Sequence, residues 1–321
     1  MRLRHATLPG WQVRFTGTPA VSDGDGATPP TPEALAAIRD AEVYFGFGLS
    51  EPLFSAARRL RWVHSAAAGV GSALFPAMRE SDVLLTNSAG VHATPIAEHV
   101  IGGILYLLRD FETALRLQRA SEWSREPFVG PGSRVREIGE CRAVIIGTGG
   151  IGGAIAERLS AFGARCVGIR RHPERGAPAG FDSVHSADDL PSLAAGATLL
   201  IVAAPATADT SGLVTATLLD RLPQGAIVCN VARGTLVDEE ALAQRVADGR
   251  LRGAVLDVFR QEPLDSSSPL WSLPSVLLTP HVSAVSPRAF WGRELELFFD
   301  NWRRYVAGER LRNLVDKAAG Y

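Results

Sequence analysis

The chain has few cysteines, and their spacing suits no metal. Of 321 residues only Cys141, Cys166 and Cys229 are cysteine, and each lies in or beside an apolar run that predicts a buried strand. No CxxC or other metal-ligand spacing occurs, so the sequence predicts no metal site. Reduced cysteines in a protein core are typical of the cytoplasm, and we expect a cytoplasmic location.

Long apolar runs and an excess of charge of either sign are also missing. The most apolar stretch, residues 96–108, contains Glu98, His99 and two glycines, so it is too short and too polar to cross a membrane. The N-terminal sequence MRLRHATLPGWQ lacks the apolar core of a secretory signal peptide. The net charge of −1 leaves no broad basic surface. We therefore expect neither a nucleic-acid partner nor a membrane partner.

The length and the order of apolar runs predict two α/β domains. At roughly 100–200 residues per domain, the length of 321 residues suits two. The first part alternates predicted strands (43–47, 60–63, 83–86) with predicted helices (33–39, 52–58, 72–79) and has a predicted loop at 21–32. A helix then begins with Thr94 as its cap and Pro95 at its first position. Its apolar spacing continues to about Glu122, which is long enough to connect two domains.

From residue 142 onward, strands and helices alternate regularly. The predicted strands are 143–146, 166–169, 198–203, 226–231, 254–258 and 276–278, and the predicted helices lie near 151–162, 187–194, 215–221, 239–247 and 288–304. The strands are continuous apolar runs without alternation, which is typical of a parallel sheet covered on both faces by helices.

The motif Gly147-Thr148-Gly149-Gly150-Ile151-Gly152 predicts a dinucleotide site because of its position. It follows the predicted strand 143–146 and opens the helix predicted near 151–162. Gly147 permits a tight turn, Gly149 lets a pyrophosphate approach the backbone, and Gly152 allows the helix to pack closely on the strand. The start of the helix then offers N–H groups to the phosphates.

The end of the second strand of this predicted fold indicates which dinucleotide binds. In NAD sites an acid there accepts a hydrogen bond from the ribose 2′-OH. In this chain the position is Arg170, followed by Arg171, and no acid occurs before Glu174. Two guanidinium groups suit a 2′-phosphate. We therefore favour NADP over NAD, with two surface arginines on a loop as the alternative.

An arginine, a glutamate and a histidine follow three further predicted strands. Arg233 lies in VARGTLVD, Glu262 in DVFRQEPL and His281 in LTPHVS. Ligands bind at the carboxyl ends of parallel strands, so we expect these side chains at the same edge as the glycine motif. An arginine there can hold a substrate carboxylate through two hydrogen bonds. Each residue alone could be merely structural, and their convergence is what predicts an active site.

These motifs, in this order, resemble those of the D-isomer-specific 2-hydroxy acid dehydrogenases. The resemblance extends to residues 67–71, 86–88, 97–98 and 306–313, so it covers nearly the whole chain. It implies an oxidoreductase that transfers a hydride between NAD(P)H and a small 2-oxo or D-2-hydroxy acid, similar to the glyoxylate and hydroxypyruvate reductases. It also implies a homodimer.

The resemblance implies roles for individual residues. His281 is the general acid/base and Glu262 is its carboxylate partner. Arg233 and the backbone N–H groups of Gly69 and Val70 hold the substrate carboxylate. Beside the glycine motif and the two arginines, the residues implied to line the cofactor are Ser88, Pro205, Thr210, Ala232, Asp257 and Ser283.

The fold implied by the resemblance is α/β, with two Rossmann-like domains of parallel sheet and helices on both faces. A substrate-binding domain, residues 1–94 and 288–321, is split around a dinucleotide-binding domain, residues 95–287. Two other functions stay open: a phosphoglycerate- or phosphite-type dehydrogenase, and a cofactor-sensing protein like the transcriptional corepressors of this fold. His64 is interpreted as a packed strand residue, with a substrate contact as the alternative.

Overall fold

The computed structural model describes residues 10–16 and 29–320. Of the loop predicted at 21–32, residues 21–28 lie outside the described residues. In chain order, the α-helices and strands of the described residues are α1 (Pro32–Ile38), β1 (Val43–Gly46), α2 (Glu51–Ala56), β2 (Trp62–Ser65), α3 (Pro76–Glu80), β3 (Leu84–Asn87), α4 (Ala93–Leu108), α5 (Phe111–Arg119), α6 (Glu126–Val129), β4 (Arg142–Ile146), α7 (Gly150–Ala161), β5 (Arg165–Ile169), β6 (Ser183–His185), α8 (Leu190–Ala194), β7 (Leu199–Val202), α9 (Ala216–Arg221), β8 (Ala226–Asn230), α10 (Glu239–Ala247), β9 (Leu251–Leu256), β10 (Val276–Leu278) and α11 (Phe290–Ala307).

The chain divides into two compact units. Unit 1 comprises Met1–His92 and Ser286–Tyr321, and unit 2 comprises Ala93–Val285. The domain boundaries expected from the sequence, after residues 94 and 287, stay a prediction.

Unit 1 contains a parallel sheet in the order β1-β2-β3. Successive residues of β2 point to opposite faces of this sheet. Val63 packs on one face in a core to which α1, α2 and α3 contribute. On the other face Trp62 stacks on Phe298 of α11, with ring centroids 5.5 Å apart. The last helix therefore completes the core of unit 1.

Unit 2 contains a seven-stranded sheet in the order β10-β9-β8-β7-β4-β5-β6, and every pairing in it is parallel. Ala143 and Ile145 of β4 face a core shared with α4 and α7. Val144 and Ile146 face a second core, shared with α9 and α10. Helices thus cover both faces, and the predicted parallel, Rossmann-like α/β fold is confirmed.

The predicted connecting helix is wrong in length, because a buried arginine interrupts it. Helix α4 ends at Leu108, and Asp110 has a left-handed φ of 55° before α5 begins. The nearly buried guanidinium of Arg252 donates to Leu107 O and Asp110 Oδ1, at 2.9 Å each. A buried cation is unfavourable without such acceptors. The apolar spacing that predicted one helix to Glu122 carries no sign of this distant partner.

Other boundaries also differ from the prediction. Helix α4 begins at Ala93, so Thr94 lies within its first turn instead of capping it. The helix predicted at 72–79 is a 3₁₀ turn, Gly71–Ala73, followed by α3, because Pro76 starts a new helix. Strand β2 begins two residues later than predicted, and β6 was not predicted because it is short and polar.

The structure shows where the cysteines lie and whether any described helix could cross a membrane or any described side chains could bind a metal. The three cysteines are free and buried. Within residues 10–16 and 29–320, no helix is both long and apolar enough to cross a membrane. No group of three or more His, Cys, Asp or Glu residues in that part of the chain could hold a metal ion.

Candidate active site

The predicted catalytic residues lie in the loops that follow three adjacent strands of unit 2. Strands β10, β9 and β8 are neighbours in the parallel sheet, so their carboxyl ends share one edge. His281 follows β10, Glu262 follows β9 and Arg233 follows β8. The glycine motif follows β4, beyond β7 on the same edge. The sheet order therefore brings the loops of all four motifs to one edge of unit 2.

His281 and Glu262 form a hydrogen-bonded pair. His281 Nδ1 lies 2.8 Å from Glu262 Oε2, and the side chains are 45% and 36% exposed. Glu262 Oε1 accepts a hydrogen bond from the backbone N–H of Phe259 at 2.9 Å. With Nδ1 donating to the carboxylate, Nε2 is the ring atom that can exchange a proton with a bound molecule. The pair has the geometry required for general acid/base chemistry.

The buried carboxylate of Asp257 holds the loop of His281. Its Oδ1 accepts from Thr279 Oγ1 at 2.5 Å and from Val282 N at 2.9 Å. Its Oδ2 accepts from Ser283 N, and its carbonyl accepts from His281 N, at 2.9 Å each. His281 has a φ of 54°, a conformation that is costly without glycine and needs this support. The cofactor contact implied for Asp257 stays a prediction.

The loop of Arg233 packs against the turn that precedes Glu262. A Cβ at Gly234 would lie 1.9 Å from the carbonyl carbon of Phe259 and 2.1 Å from Arg260 N, so this approach requires glycine. Arg233 itself is exposed, and its Nη1 donates to Ala232 O at 2.6 Å. A guanidinium has five N–H donors, so the others can bind a carboxylate.

Two polar residues outside the sequence motifs, Asn230 and His99, support these loops. Asn230, the last residue of β8, is buried, and its Nδ2 donates to Arg233 O at 3.0 Å. Its Oδ1 accepts from Ala232 N at 3.1 Å. His99 Nε2 lies 3.2 Å from Thr279 Oγ1. A polar residue ending an apolar strand, as Asn230 does, is the signal that could have indicated this role.

The glycine motif forms a turn that fits a dinucleotide. Gly147 has a φ of 99°, and a Cβ there would lie 2.6 Å from Ala203 O. A Cβ at Gly152 would lie 1.9 Å from Gly147 O, so α7 packs closely on the turn. A Cβ at Gly149 would meet nothing within 4 Å, and α7 begins at the next residue, Gly150. The open backbone and the free N–H groups of the first helical turn suit a pyrophosphate.

The two arginines after β5 differ in their surroundings. Arg170 is half-buried, and its Nη1 donates to Gly176 O at 3.1 Å. Arg171 forms an exposed ion pair, with its Nη2 2.8 Å from Asp209 Oδ2 and side chains 46% and 75% exposed. An acid from the loop after β7 thus already binds the second arginine.

The other cofactor residues predicted in unit 2 lie in loops at the same edge. Pro205 and Thr210 follow β7 and are joined by a hydrogen bond of 2.7 Å from Thr210 Oγ1 to Pro205 O. Ala232 follows β8 and Ser283 follows β10, and both are buried. Their contacts with a cofactor stay a prediction.

The residues predicted in unit 1 lie at the carboxyl edge of its own sheet. Gly69 and Val70 follow β2, with Gly69 exposed and Val70 buried. Ser88 follows β3, and its fully buried Oγ donates to Ser65 O at 2.7 Å. The side chain of Ser88 thus points into unit 1, and its cofactor contact stays a prediction.

His64 is a core residue of unit 1 with a buried acid as its partner. Its Nε2 lies 3.0 Å from Glu294 Oε1 of α11, and its Nδ1 lies 2.7 Å from Thr86 Oγ1. All three residues are 0% exposed. This burial agrees with the interpretation of His64 as a packed strand residue.

A Rossmann-like sheet with this glycine turn and this His–Glu pair is typical of nicotinamide-dependent dehydrogenases. Comparison with known proteins specifies the family, because residues 101–283 match the model of the "D-isomer specific 2-hydroxyacid dehydrogenase, NAD binding domain". The chain belongs to the D-isomer-specific 2-hydroxyacid dehydrogenase family, as its motifs predicted. It is an NAD(P)-dependent dehydrogenase that transfers a hydride between the nicotinamide and a 2-oxo or 2-hydroxy acid.

Several relatives resemble the chain over most of its length. The glyoxylate/hydroxypyruvate reductase A of Salmonella paratyphi B is 33% identical over 275 residues, 83% of each protein. The structure of a D-isomer-specific 2-hydroxyacid dehydrogenase from Xanthobacter autotrophicus Py2 with NADPH and MES has a TM-score of 0.75 and 32% identity, over 93% of this chain and 89% of that one. An NADPH-dependent glyoxylate/hydroxypyruvate reductase from Sinorhizobium meliloti, with NADP and sulfate, has a TM-score of 0.74 and 28% identity, over 89% of each chain.

Proposed function

We propose that this enzyme reduces small 2-oxo acids of the glyoxylate and hydroxypyruvate type, with His281 as the proton donor. The observation that carries the proposal is the pair of His281 and Glu262, 2.8 Å apart at the sheet edge where Arg233 also lies. The substrate type is supported by relatives named as glyoxylate/hydroxypyruvate reductases.

Each residue has a distinct part in the proposed reaction. Arg233, with the backbone N–H groups of Gly69 and Val70, holds the substrate carboxylate. The nicotinamide, when bound, supplies the hydride. His281 gives its Nε2 proton to the carbonyl oxygen, and the carboxylate of Glu262 stabilises the protonated ring beforehand. In the oxidation of a hydroxy acid, the neutral ring of His281 accepts the proton instead.

We further propose NADP as the preferred cofactor. Its support is Arg170 and Arg171 at the end of β5, where NAD sites carry an acid. The relatives from X. autotrophicus and S. meliloti carry NADPH and NADP. The open turn at Gly149 and the start of α7 would bind the pyrophosphate. Ser88, Pro205, Thr210, Ala232, Asp257 and Ser283 would line the remainder of the cofactor.

One experiment tests the substrate, the cofactor and the two alternative functions together. Turnover is measured by nicotinamide absorbance on glyoxylate, hydroxypyruvate and larger 2-oxo acids with NADH and NADPH, and on 3-phosphoglycerate and phosphite with NAD⁺ and NADP⁺. We expect the highest kcat/KM with a small 2-oxo acid and NADPH. A higher value on 3-phosphoglycerate or phosphite would favour the first alternative. Cofactor binding without turnover on any compound would identify a sensor.

We also propose a cytoplasmic homodimer, with the two units serving as its substrate and dinucleotide domains. The family resemblance supports the homodimer and the domain assignment. The location is supported by three free, buried cysteines, which are typical of reducing compartments. Analytical ultracentrifugation tests the oligomeric state, and a mass of one chain would overturn it.

A further inference from the structure

Glu239, the first residue of α10, binds the turn that leads to Glu262. Its Oε1 accepts a hydrogen bond from the backbone N–H of Arg260. The preceding N–H, that of Phe259, donates to Glu262 Oε1 at 2.9 Å. Two consecutive N–H groups of one turn therefore bind two different carboxylates. One of them belongs to the proposed acid/base pair, and the other arrives from a neighbouring helix.

A second contact joins the same two segments. Gly234 lies directly against the peptide between Phe259 and Arg260, where no Cβ would fit. Between Gly234 and Glu239 the chain forms a 3₁₀ turn, and Asp238 then caps α10 by accepting from Ala241 N at 3.0 Å. The segment 233–239 thus has Arg233 at one end and Glu239 at the other. It contacts the Phe259–Arg260 turn at two places.

The position of Glu239 is electrostatically unfavourable, and the start of the helix does not require it. The pKa of Glu239 is raised above its usual range by burial and also by the charge of Glu262, while the N–H and charge of Arg260 act in the opposite direction. The next residue, Glu240, is exposed. It offers the same negative charge to the first turn of α10 without the cost of burial. The contact with Arg260 is therefore what distinguishes Glu239.

We propose that Glu239 is a positioning residue for the acid/base pair. It fixes the Phe259–Arg260 turn so that Glu262 meets His281 Nδ1, and it ties this turn to the segment that carries Arg233. The proposal rests on the proposed function, because it assumes that His281 and Glu262 transfer the proton. Glu239 acts through Glu262, and no contact with the substrate is assigned to it.

Two variants separate the hydrogen bond of Glu239 from its charge. Glu239→Ala removes both, whereas Glu239→Gln keeps an oxygen that can accept from Arg260 N. Since a displacement of about 1 Å can cost roughly 100-fold in rate, we expect kcat to fall about 10- to 100-fold in Glu239→Ala. In Glu239→Gln we expect kcat within about threefold of wild type, because the acceptor is kept. The KM for NADPH should stay unchanged in both variants.

Glu240→Ala and Glu240→Gln are matched controls for helix propensity and net charge. Thermal midpoints are measured for all variants, and Glu239→Ser replaces Glu239→Ala if the alanine variant does not fold. The inference is overturned if Glu239→Ala equals Glu240→Ala in kcat, or if Glu239→Gln is as slow as Glu239→Ala. His281→Ala is measured alongside. Near-full turnover of His281→Ala would overturn the proposed function itself. If His281→Ala loses most of its turnover but the Glu239 variants turn over like wild type, only this inference is overturned.

Discussion

Replacing Arg170 with aspartate should invert the cofactor preference. At the end of β5, an acid accepts from a ribose 2′-OH and repels a 2′-phosphate, and an arginine reverses both effects. A hydrogen bond to a charged group contributes about 1.5–3 kcal/mol. At about 1.4 kcal/mol per tenfold, one such contact predicts a roughly 10- to 150-fold preference for NADPH in kcat/KM. Arg170 is half-buried and partly screened by solvent, which favours the lower end of this range.

The ion pair of Arg171 and Asp209 modifies this prediction. Arg171 must leave Asp209 before it can bind a 2′-phosphate, and an exposed ion pair contributes about 0.2–1 kcal/mol. Asp209→Asn should therefore raise kcat/KM for NADPH about 1.4- to 5-fold, and more if the lost acid had also repelled the phosphate. The value for NADH should not change, since NADH carries no 2′-phosphate.

The assay is the ratio of kcat/KM for NADPH and NADH on one 2-oxo acid, measured for wild type and each variant. Arg165→Asp is the control, because it makes the same charge change at the opposite end of β5, about five residues and ~16 Å away. Wild-type enzyme that used NADH as well as NADPH would contradict the proposed preference for NADP. An equal change of the ratio in Arg165→Asp would refute the position of the phosphate site.

Three further predictions concern proton transfer, substrate binding and the core. His281→Ala should lower kcat roughly 10²–10⁴-fold while fluorescence titration shows unchanged cofactor binding. Near-full turnover of this variant would contradict the assignment of His281 as the proton donor. Arg233→Ala should mainly raise the KM for the oxo acid. Glu262→Gln removes the negative charge 2.8 Å from Nδ1 of His281, so kcat for reduction should fall, and turnover equal to that of wild type would count against the pair. Burial raises the pKa of Cys229 to about 12. Above about pH 9 the folded state therefore keeps a proton that the unfolded state loses. As the pH rises further, the free energy of unfolding should fall by up to ~1.4 kcal/mol per pH unit. In urea titrations, Cys229→Ala should show a smaller decline, and an unchanged slope would disprove this contribution.

The sequence could place the site residues because each one lies in a loop that follows an apolar strand. In a parallel sheet, the end of a strand is also its position on the ligand-binding edge. The motifs at Gly147, Arg233, Glu262 and His281 could therefore be assigned to one edge without any knowledge of the strand order. The order itself, β10-β9-β8-β7-β4-β5-β6, depends on long-range pairing that a linear pattern does not contain.

The contacts that support the site could not be predicted, for the same physical reason. Periodicity reports burial and propensity, but it does not say which distant polar groups meet. Arg252 and Asp110 are 142 positions apart, and their contact ends a helix that the apolar spacing would continue. Arg171 and Asp209 are 38 positions apart, and nothing in either segment indicates an ion pair. The chemical groups of the site could be predicted from the sequence, whereas the contacts that hold them in place could not.

The buried pair of His64 and Glu294 determines how a growing chain can fold. The two residues are 230 positions apart, so a ribosome makes strands β1 to β3 long before α11 exists. Until α11 emerges, His64 lacks its acid and Trp62 lacks the Phe298 ring that covers it. Unit 2 is one continuous stretch that ends at Val285, so all of its strands and helices have been made before α11 begins at Phe290. We therefore expect unit 2 to fold before unit 1 during synthesis, because the core of unit 1 needs α11.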